Sequence, residues 1–364
     1  MEKERISSIQ LFLILSGFLF GSTVIVAPVQ EAKNDTWLAL IIGGTFGTLL
    51  MGVYVAIALL NPSKTLVDIL KEKLGNVVGT ILAVLYIWYF IHIASLVLRN
   101  FGEFVCTTTF PQTPMKVVIG IFAAVLVYVT NSGIEVLGRL SELLVPIIPF
   151  AITIITLSLI TVNDFTAFLP ILENGIMPVL KSAFGFITFP FGEAVAFLML
   201  FPHLNNKEKL KKVVYISGIV INIIGITIFF RDTFVLGSGL IERATFIPHL
   251  ASLLIPGLNV DPFVDINLLI GGGIKISVCI FAAARALSQI AGINDYRKLT
   301  GAITTFCVVL SIWLYENVLE MFSWVGKVWP FYCLPFQILI PLLLLLLSLK
   351  KNKTSDTKTK SLKG

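Results

Sequence analysis

The sequence predicts an all-α polytopic membrane protein with ten transmembrane helices in a single transmembrane domain, residues 1–349. Hydrophobic residues make up 56% of the chain and charged residues only 13%, and the mean hydropathy is +0.93. Soluble domains carry about a quarter charged residues, so a chain of this composition cannot cover its apolar surface in water. Apolar segments of roughly 20 residues, the length that crosses a bilayer, recur along the whole sequence.

Short connections separate most of the predicted spans. The exception runs from Arg231 to Pro262 and is long enough to form a structured cap on one face. The basic segment 350–364 is predicted to be a disordered cytoplasmic tail. Predicted spans one to ten cover residues 8–28, 37–60, 77–98, 115–131, 142–162, 179–202, 213–234, 264–290, 300–320 and 330–349.

Lysine and arginine are distributed unequally between the two sides of this arrangement. Most lie on the side that also holds both termini, and an excess of positive charge marks the cytoplasmic side of a membrane protein. The net charge of +6 is therefore a topology signal that places both termini in the cytoplasm. It gives no support to nucleic-acid binding, because the basic residues are divided among loops and the tail.

Motif content argues against several classes of protein. The four cysteines form no C-x-x-C pair and the three histidines show no metal-ligand spacing, so we expect neither a disulfide framework nor a metal site. The sequence contains no H-E-x-x-H motif, no P-loop and no recognisable nucleophile–base set. We therefore expect neither an enzyme nor a bound cofactor.

Spans one and six are each interrupted by glycine and proline. Span one contains SGFLFGSTVIVAP (16–28), span six contains ITFPFGEAVAFLMLFP (187–202), and both include Phe-x-Phe-Gly. Pro190 cannot donate a backbone hydrogen bond, and irregular backbone survives in a membrane only where it lines a cavity or is packed in protein. Spans one and six correspond in a five-plus-five inverted repeat, and paired interruptions of this kind indicate a binding site at the midplane.

The two interruptions offer backbone groups of opposite polarity. After Gly21, the amides of Ser22 and Thr23 would begin a half-helix, which suits an anion. The carbonyls near Thr188 and Phe189 suit an ammonium group, so together the breaks predict a site for a zwitterion such as a free amino acid. The alternative is a kink without a ligand, because Gly and Pro are common in membrane helices. The candidate ligand-binding residues are Gly17, Phe20, Gly21, Ser22, Thr23, Thr188, Phe189, Gly192 and Glu193.

Two charged side chains are predicted to lie near the centre of the bilayer. Glu193 is about 18 Å past Lys181 along a helix, and a carboxylate at that depth costs at least ~2.5 kcal/mol. Lys275 is about 15 Å from Asp265, also close to the midplane. Charges in such positions are functional candidates by default.

Other polar residues of spans three and eight are weaker candidates for coupling or gating. Arg99 and Glu103, spaced i, i+4, are predicted to form an ion pair beside the outer mouth of the site; the alternative is a solvated surface pair. Ser277 is a further candidate, although buried serines commonly join membrane helices. Tyr86 and Trp88 lie deeper in span three and are expected to face the site.

Three stretches carry a resemblance to a known family. They are FPFGE (189–193), GIEVLGRLSELLVPIIPF (133–150) and ASLVLRNFGEF (94–104), and with the ten-span plan they resemble the B subunit of spore germinant receptors, the GerAB-type spore germination permease family. The resemblance covers essentially the whole chain. Val97 departs from it, since some relatives carry a carboxylate in this part of span three, so germinant identity cannot be copied from a relative.

The family is related to amino acid–polyamine–organocation transporters. The resemblance therefore implies a leucine-transporter-like five-plus-five inverted repeat with helices one and six unwound. It also implies nutrient sensing in the spore inner membrane, with a membrane A subunit and a lipoprotein C subunit as partners. In transporters of this fold helix eight helps to line a sodium site beside helix one, so the Lys275 ammonium could replace that cation.

Alternatives stay open on the residues alone. Lys275 can instead pair with Glu193 or with carbonyls for structure only. The chain can be a sensor that binds an L-amino acid and signals to its partners, an active amino-acid transporter coupled to protons through Glu193 or Lys275, or a structural scaffold with a vestigial site.

Overall fold

In the computed structural model, residues 4–21, 30–160, 169–241, 244–255 and 260–361 are described. The regular elements in these ranges are helices, and one isolated parallel bridge pairs Ile6 with Leu204. The α-helices are α1 Ser8–Phe20, α2 Thr36–Leu60, α3 Leu66–Leu74, α4 Asn76–Thr108, α5 Met115–Asn131, α6 Ile134–Leu144, α7 Ile147–Ser158, α8 Ile176–Phe186, α9 Leu210–Ile241, α10 Ile247–Leu253, α11 Asp261–Ala291, α12 Arg297–Trp313, α13 Val318–Lys327, α14 Trp329–Tyr332 and α15 Ile340–Ser361.

The helices are those of a multi-pass membrane protein. Within the described residues, seven helical segments are long and apolar enough to cross a bilayer, and the bent pair α12–α13 makes up to eight. Helices α1 and α5 are apolar but shorter than this criterion requires, so the predicted total of ten spans stays a prediction. The continuation of α1 predicted over residues 22–28 lies outside the described residues.

Three segments form the centre of the molecule. Helices α4 and α11 and the broken span six are buried on most faces, whereas α9 and α15 present many apolar side chains outward. A helix that is hydrophobic on all sides is stable only inside such a bundle or in lipid. This arrangement places Glu193 and Lys275 in the interior rather than against lipid.

Both predicted interruptions are present. Helix α1 ends at Phe20, and Gly21 follows with φ +26° while its amide donates to the Gly17 carbonyl. In span six, α8 gives way at residue 187 to a π-turn over Ile187–Phe191, in which Phe189 has non-helical angles of φ −138° and ψ 109°. A 3₁₀ segment, Gly192–Met199, continues the span. Glycine and proline are placed where the backbone leaves the α-helical path.

Several predicted spans differ in detail. Span five, predicted over 142–162, consists of α6 and α7. Span nine, predicted as one helix over 300–320, bends by 101° between α12 and α13, because the Asn317 side chain accepts the Glu320 amide and starts a new helix there. The predicted cap between spans seven and eight contains the end of α9 and helix α10. Helix α15 continues beyond 349 into the segment predicted to be disordered.

Arg99 joins span three to the bend of span nine. Its Nη2 lies 2.7 Å from the Glu103 carboxylate, and its Nη1 donates to the carbonyls of Ser311 and Ile312 at 3.2 and 3.1 Å. These carbonyls belong to the last turn of α12, where helical carbonyls lack partners. The Arg99 side chain is only 3% exposed, so the alternative of a solvated surface pair is wrong.

We expect Arg99→Leu to lower the stability of the protein by about 2 kcal/mol, because it removes charged hydrogen bonds and leaves the Glu103 carboxylate unpaired. Thermal unfolding of the purified chain in detergent measures this loss. Glu103→Gln is the matched control: it keeps the arginine on the α12 carbonyls and is expected to cost less. An unchanged thermal unfolding midpoint for Arg99→Leu would contradict the stabilising role of Arg99 at the end of α12.

Candidate functional site

A buried ion pair lies where the broken span six meets span eight. The Nζ of Lys275, on α11, contacts Oε2 of Glu193, which follows the π-turn of span six. The two side chains are 0% and 2% exposed. Neither atom has a conventional hydrogen bond to another described residue, so each charge depends mainly on the other. Glu193 and backbone carbonyls are the two alternative pairing partners predicted for Lys275, and the structure contains the pairing with Glu193.

Aromatic rings and the break of span one complete the surroundings of the lysine. Its Nζ lies 4.3 Å from the ring centroid of Phe189 and 5.4 Å from that of Phe18, within the range of cation–π attraction. A methyl group on Gly21 would lie 2.8 Å from Lys275 Cδ, so the lysine stem fills the space that a side chain would need there. The two breaks therefore meet at the ion pair.

Close backbone packing holds span one against span eight. A methyl group on Gly17 would lie 2.6 Å from Ile274 Cδ1, and one on Gly271 would lie 3.0 Å from the Gly21 nitrogen. Small residues allow membrane helices to approach this closely. Phe20 is buried beside the break. The predicted anion-binding amides of Ser22 and Thr23 lie outside the described residues.

The carbonyl predicted to be free in span six already has a partner. Gln337 Nε2 donates to the Thr188 carbonyl at 2.9 Å, and Thr188 Oγ1 donates to the Gly185 carbonyl. On the other side of the break, the Tyr54 hydroxyl donates to the Gly192 carbonyl at 3.0 Å. Sequence reasoning missed Gln337 and Tyr54. A signal was available for Gln337, since it is an isolated amide within the apolar run LPFQILIPLLLLLL (334–347).

Other predicted residues lie elsewhere. Arg99 contacts the end of α12 and pairs with Glu103, as described above. Ser277 is buried and lines an apolar cavity of about 650 Å³ between α4, α5, α6 and α11. Trp88 is 40% exposed and donates to the Tyr332 hydroxyl, so the expectation that it faces the site is wrong. Tyr86 is buried, and its hydroxyl donates to the Phe336 carbonyl.

Among the described residues, no three or more His, Cys, Asp or Glu side chains are grouped so that they could hold a metal ion. In the part of the chain that the structure describes, the site consists of one carboxylate, one ammonium group and two aromatic rings. Groups of this kind can bind and orient a small charged molecule.

The known sequences to which this chain is similar are spore germination proteins. A family model described as "Spore germination protein" matches residues 5–321. Spore germination protein KB of Bacillus subtilis (strain 168) is 33% identical, and the alignment covers 98% of this chain and 98% of that protein. Spore germination protein YndE of the same organism is 23% identical over 73% of this chain and 75% of that protein.

Two solved transporters share the fold. Mhp1, a nucleobase-cation-symport-1 family transporter in a closed conformation with bromovinylhydantoin bound, superposes with a TM-score of 0.66, covering 89% of this chain and 75% of that one at 12% identity. MhsT in complex with L-phenylalanine superposes with a TM-score of 0.62, covering 96% of this chain and 99% of that one at 12% identity. The architecture is therefore that of the leucine-transporter-like fold.

These observations agree with one another. The fold is that of transporters, the two breaks expected for it are present, and the family match extends over most of the chain. The relative that is 33% identical aligns over nearly the full length of both proteins. The chain belongs to the spore germination protein family, whose members are permease- and receptor-type membrane proteins rather than enzymes.

Proposed function

We propose that this chain is the germinant-sensing B subunit of a spore nutrient receptor. It binds a small nutrient, an L-amino acid, where the breaks of spans one and six meet. It signals to a membrane A subunit and a lipoprotein C subunit in the spore inner membrane, with both termini in the cytoplasm. The observation that carries this proposal is the contact of both breaks with the buried Glu193–Lys275 ion pair.

The ion pair suits a zwitterion. A free amino acid carries one charge of each sign, so its ammonium group can face Glu193 while its carboxylate faces Lys275. One ion pair is then replaced by two, and no buried charge is left without a partner, which would cost several kcal/mol. An uncharged sugar or nucleoside cannot exchange partners in this way, so we favour an amino acid over these classes.

The structural neighbours support a small-molecule site in this fold. MhsT was solved with L-phenylalanine and Mhp1 with a hydantoin derivative. These ligands belong to those proteins, and their identities do not transfer at 12% identity. In this chain the side-chain specificity would come from the rings of Phe18 and Phe189, which border the lysine.

Lys275 has a second role in the proposal. It contacts the break of span one at Gly21 and the carboxylate of span six at once. A fixed ammonium group in this position replaces the sodium ion that transporters of this fold hold beside helix one. The sensor can then keep the two broken spans together without an ion gradient.

We expect Lys275→Met to destabilise the protein by about 3 kcal/mol, because it leaves the Glu193 carboxylate buried and unpaired. Adding Glu193→Gln removes the second charge and is expected to restore part of the loss. If Lys275 replaces a cation, sodium chloride raises the unfolding temperature of Lys275→Met more than choline chloride does.

The control for this series is Lys181→Met, which removes a lysine whose side chain is 64% exposed. It is expected to leave the midpoint nearly unchanged. Equal midpoints for Lys275→Met and the wild type in both salts would discard the sodium-replacement role.

We expect Gly21→Leu to abolish the response to amino acids while the subunit remains in the membrane, because a side chain there displaces the lysine stem. Gly120→Leu is the matched control, since a Cβ atom added at Gly120 would meet no described atom within 4 Å. Thermal-shift panels with the twenty L-amino acids, sugars and nucleosides measure binding, and germination of spores carrying each variant measures the response. Normal germination of Gly21→Leu spores would show that the site is misplaced.

Uptake separates the sensor from the proton-coupled transporter, which the transporter fold itself favours as the second candidate. Any amino acid that shifts the unfolding temperature of the wild type is expected to bind without accumulating in proteoliposomes under a pH gradient. Gradient-driven uptake that is lost in Glu193→Gln would instead support the transporter.

A further inference from the structure

Two non-α turns face each other in the interior. One is the π-turn Ile187–Phe191 of span six, and the other is a π-turn over Pro335–Leu339 at the start of span ten. π-Turns are rare and frequently occur at functional sites. Gln337 lies at the middle of the second turn, and none of its surface is exposed.

The Gln337 amide joins three elements. Its Nε2 donates to the Thr188 carbonyl in span six at 2.9 Å and to the Tyr89 hydroxyl in α4 at 2.6 Å. The Tyr54 hydroxyl of α2 lies between the two turns. It is 3.0 Å from the Gly192 carbonyl, directly after the span-six turn, and 2.8 Å from the Gln337 carbonyl in the span-ten turn. The contacts on span six therefore lie on both sides of its break.

Gly192, directly after the first turn, packs closely against the Gln337 side chain. A methyl group on Gly192 would overlap the Gln337 side chain, with Oε1 as its nearest atom. Gly192 directly precedes Glu193, so any backbone movement at Glu193 would press on this amide or release it. Oε1 itself has no hydrogen-bond partner among the described residues, so the amide is held by its two Nε2 bonds and by packing.

We propose that Gln337 is a positioning residue that holds the break of span six in its ligand-binding geometry and passes a change at that break to span ten. The transfer of a change to span ten rests on the proposed function, whereas the positioning of the break does not. Packed interiors switch between discrete arrangements rather than deforming continuously, so a rigid amide clamp couples the two turns. An amide that only adds packing between helices, without fixing the two turns relative to each other, would not couple them.

Hydrogen exchange tests the first part without any ligand. In the full chain in lipid nanodiscs, Gln337→Leu and Tyr54→Phe are each expected to raise the exchange rate of peptides covering 187–193 by about tenfold, the equivalent of one lost hydrogen bond. Tyr86→Phe is the matched control, because among the described residues its hydroxyl bonds the Phe336 carbonyl of the span-ten turn and no group of span six. It is expected to leave 187–193 unchanged.

Unchanged exchange over 187–193 in both Gln337→Leu and Tyr54→Phe would overturn the positioning role, as would an equal rise in Tyr86→Phe. If Gln337→Leu does not fold, Tyr54→Phe and Gln337→Met carry the test. Methionine is similar in length to glutamine but has no N–H or O–H to donate to the Thr188 carbonyl, so it is expected to behave as the leucine does.

A second arm adds a mixture of the twenty L-amino acids. In the wild type the mixture is expected to slow exchange over both 187–193 and 335–339, and in Gln337→Leu over 187–193 only. Slowing that still reaches 335–339 in Gln337→Leu would overturn the coupling. A wild type that shows no slowing contradicts the proposed amino-acid site, and the ligand-free result then stands on its own.

Discussion

The buried ion pair between Glu193 and Lys275 is the constraint on which the rest of the structure depends. Either charge alone in the interior of a membrane protein is expensive, and each lacks another strong partner among the described residues. The pair can form only if spans six and eight are held at a fixed depth and rotation. The close glycine packing of span one on span eight, with the lysine stem against Gly21, fixes the position of span eight relative to span one.

The breaks in spans one and six both meet this ion pair. Gly21 has no Cβ atom, so the lysine stem can fill the space beside it, and the non-helical Phe189 places its ring 4.3 Å from the ammonium group. The backbone groups released at span six are satisfied by Gln337 and Tyr54 from neighbouring spans. Irregular backbone is tolerated at this depth because protein, and not lipid, surrounds it.

Much of this arrangement was predictable from the sequence. Glycine, proline and charge in apolar spans identified both breaks, Glu193 and Lys275, because hydrocarbon makes these residue types costly without a reason. The choice between Glu193 and backbone carbonyls as the partner of Lys275 was not predictable, because helical rise gives depth while the rotation of one helix about another depends on packing. The contacts of Gln337 were not predictable for the same reason, although the isolated amide in an apolar run was visible in the sequence. The bend of span nine depends on a single local cap at Asn317.

A leucine-transporter-like fold in a spore germination family indicates how a sensor can be built on a transporter plan. In the proposed function, the lysine holds together the two spans that a bound ion would otherwise hold, and the ligand exchanges with a pair of protein charges. The most direct measurement is an experimental density map of the chain in a lipid nanodisc that shows side chains. The account predicts the Lys275 ammonium in contact with the Glu193 carboxylate, with its stem against a broken span one. A map with the two side chains apart, or with span one passing Lys275 as an unbroken helix, would contradict it.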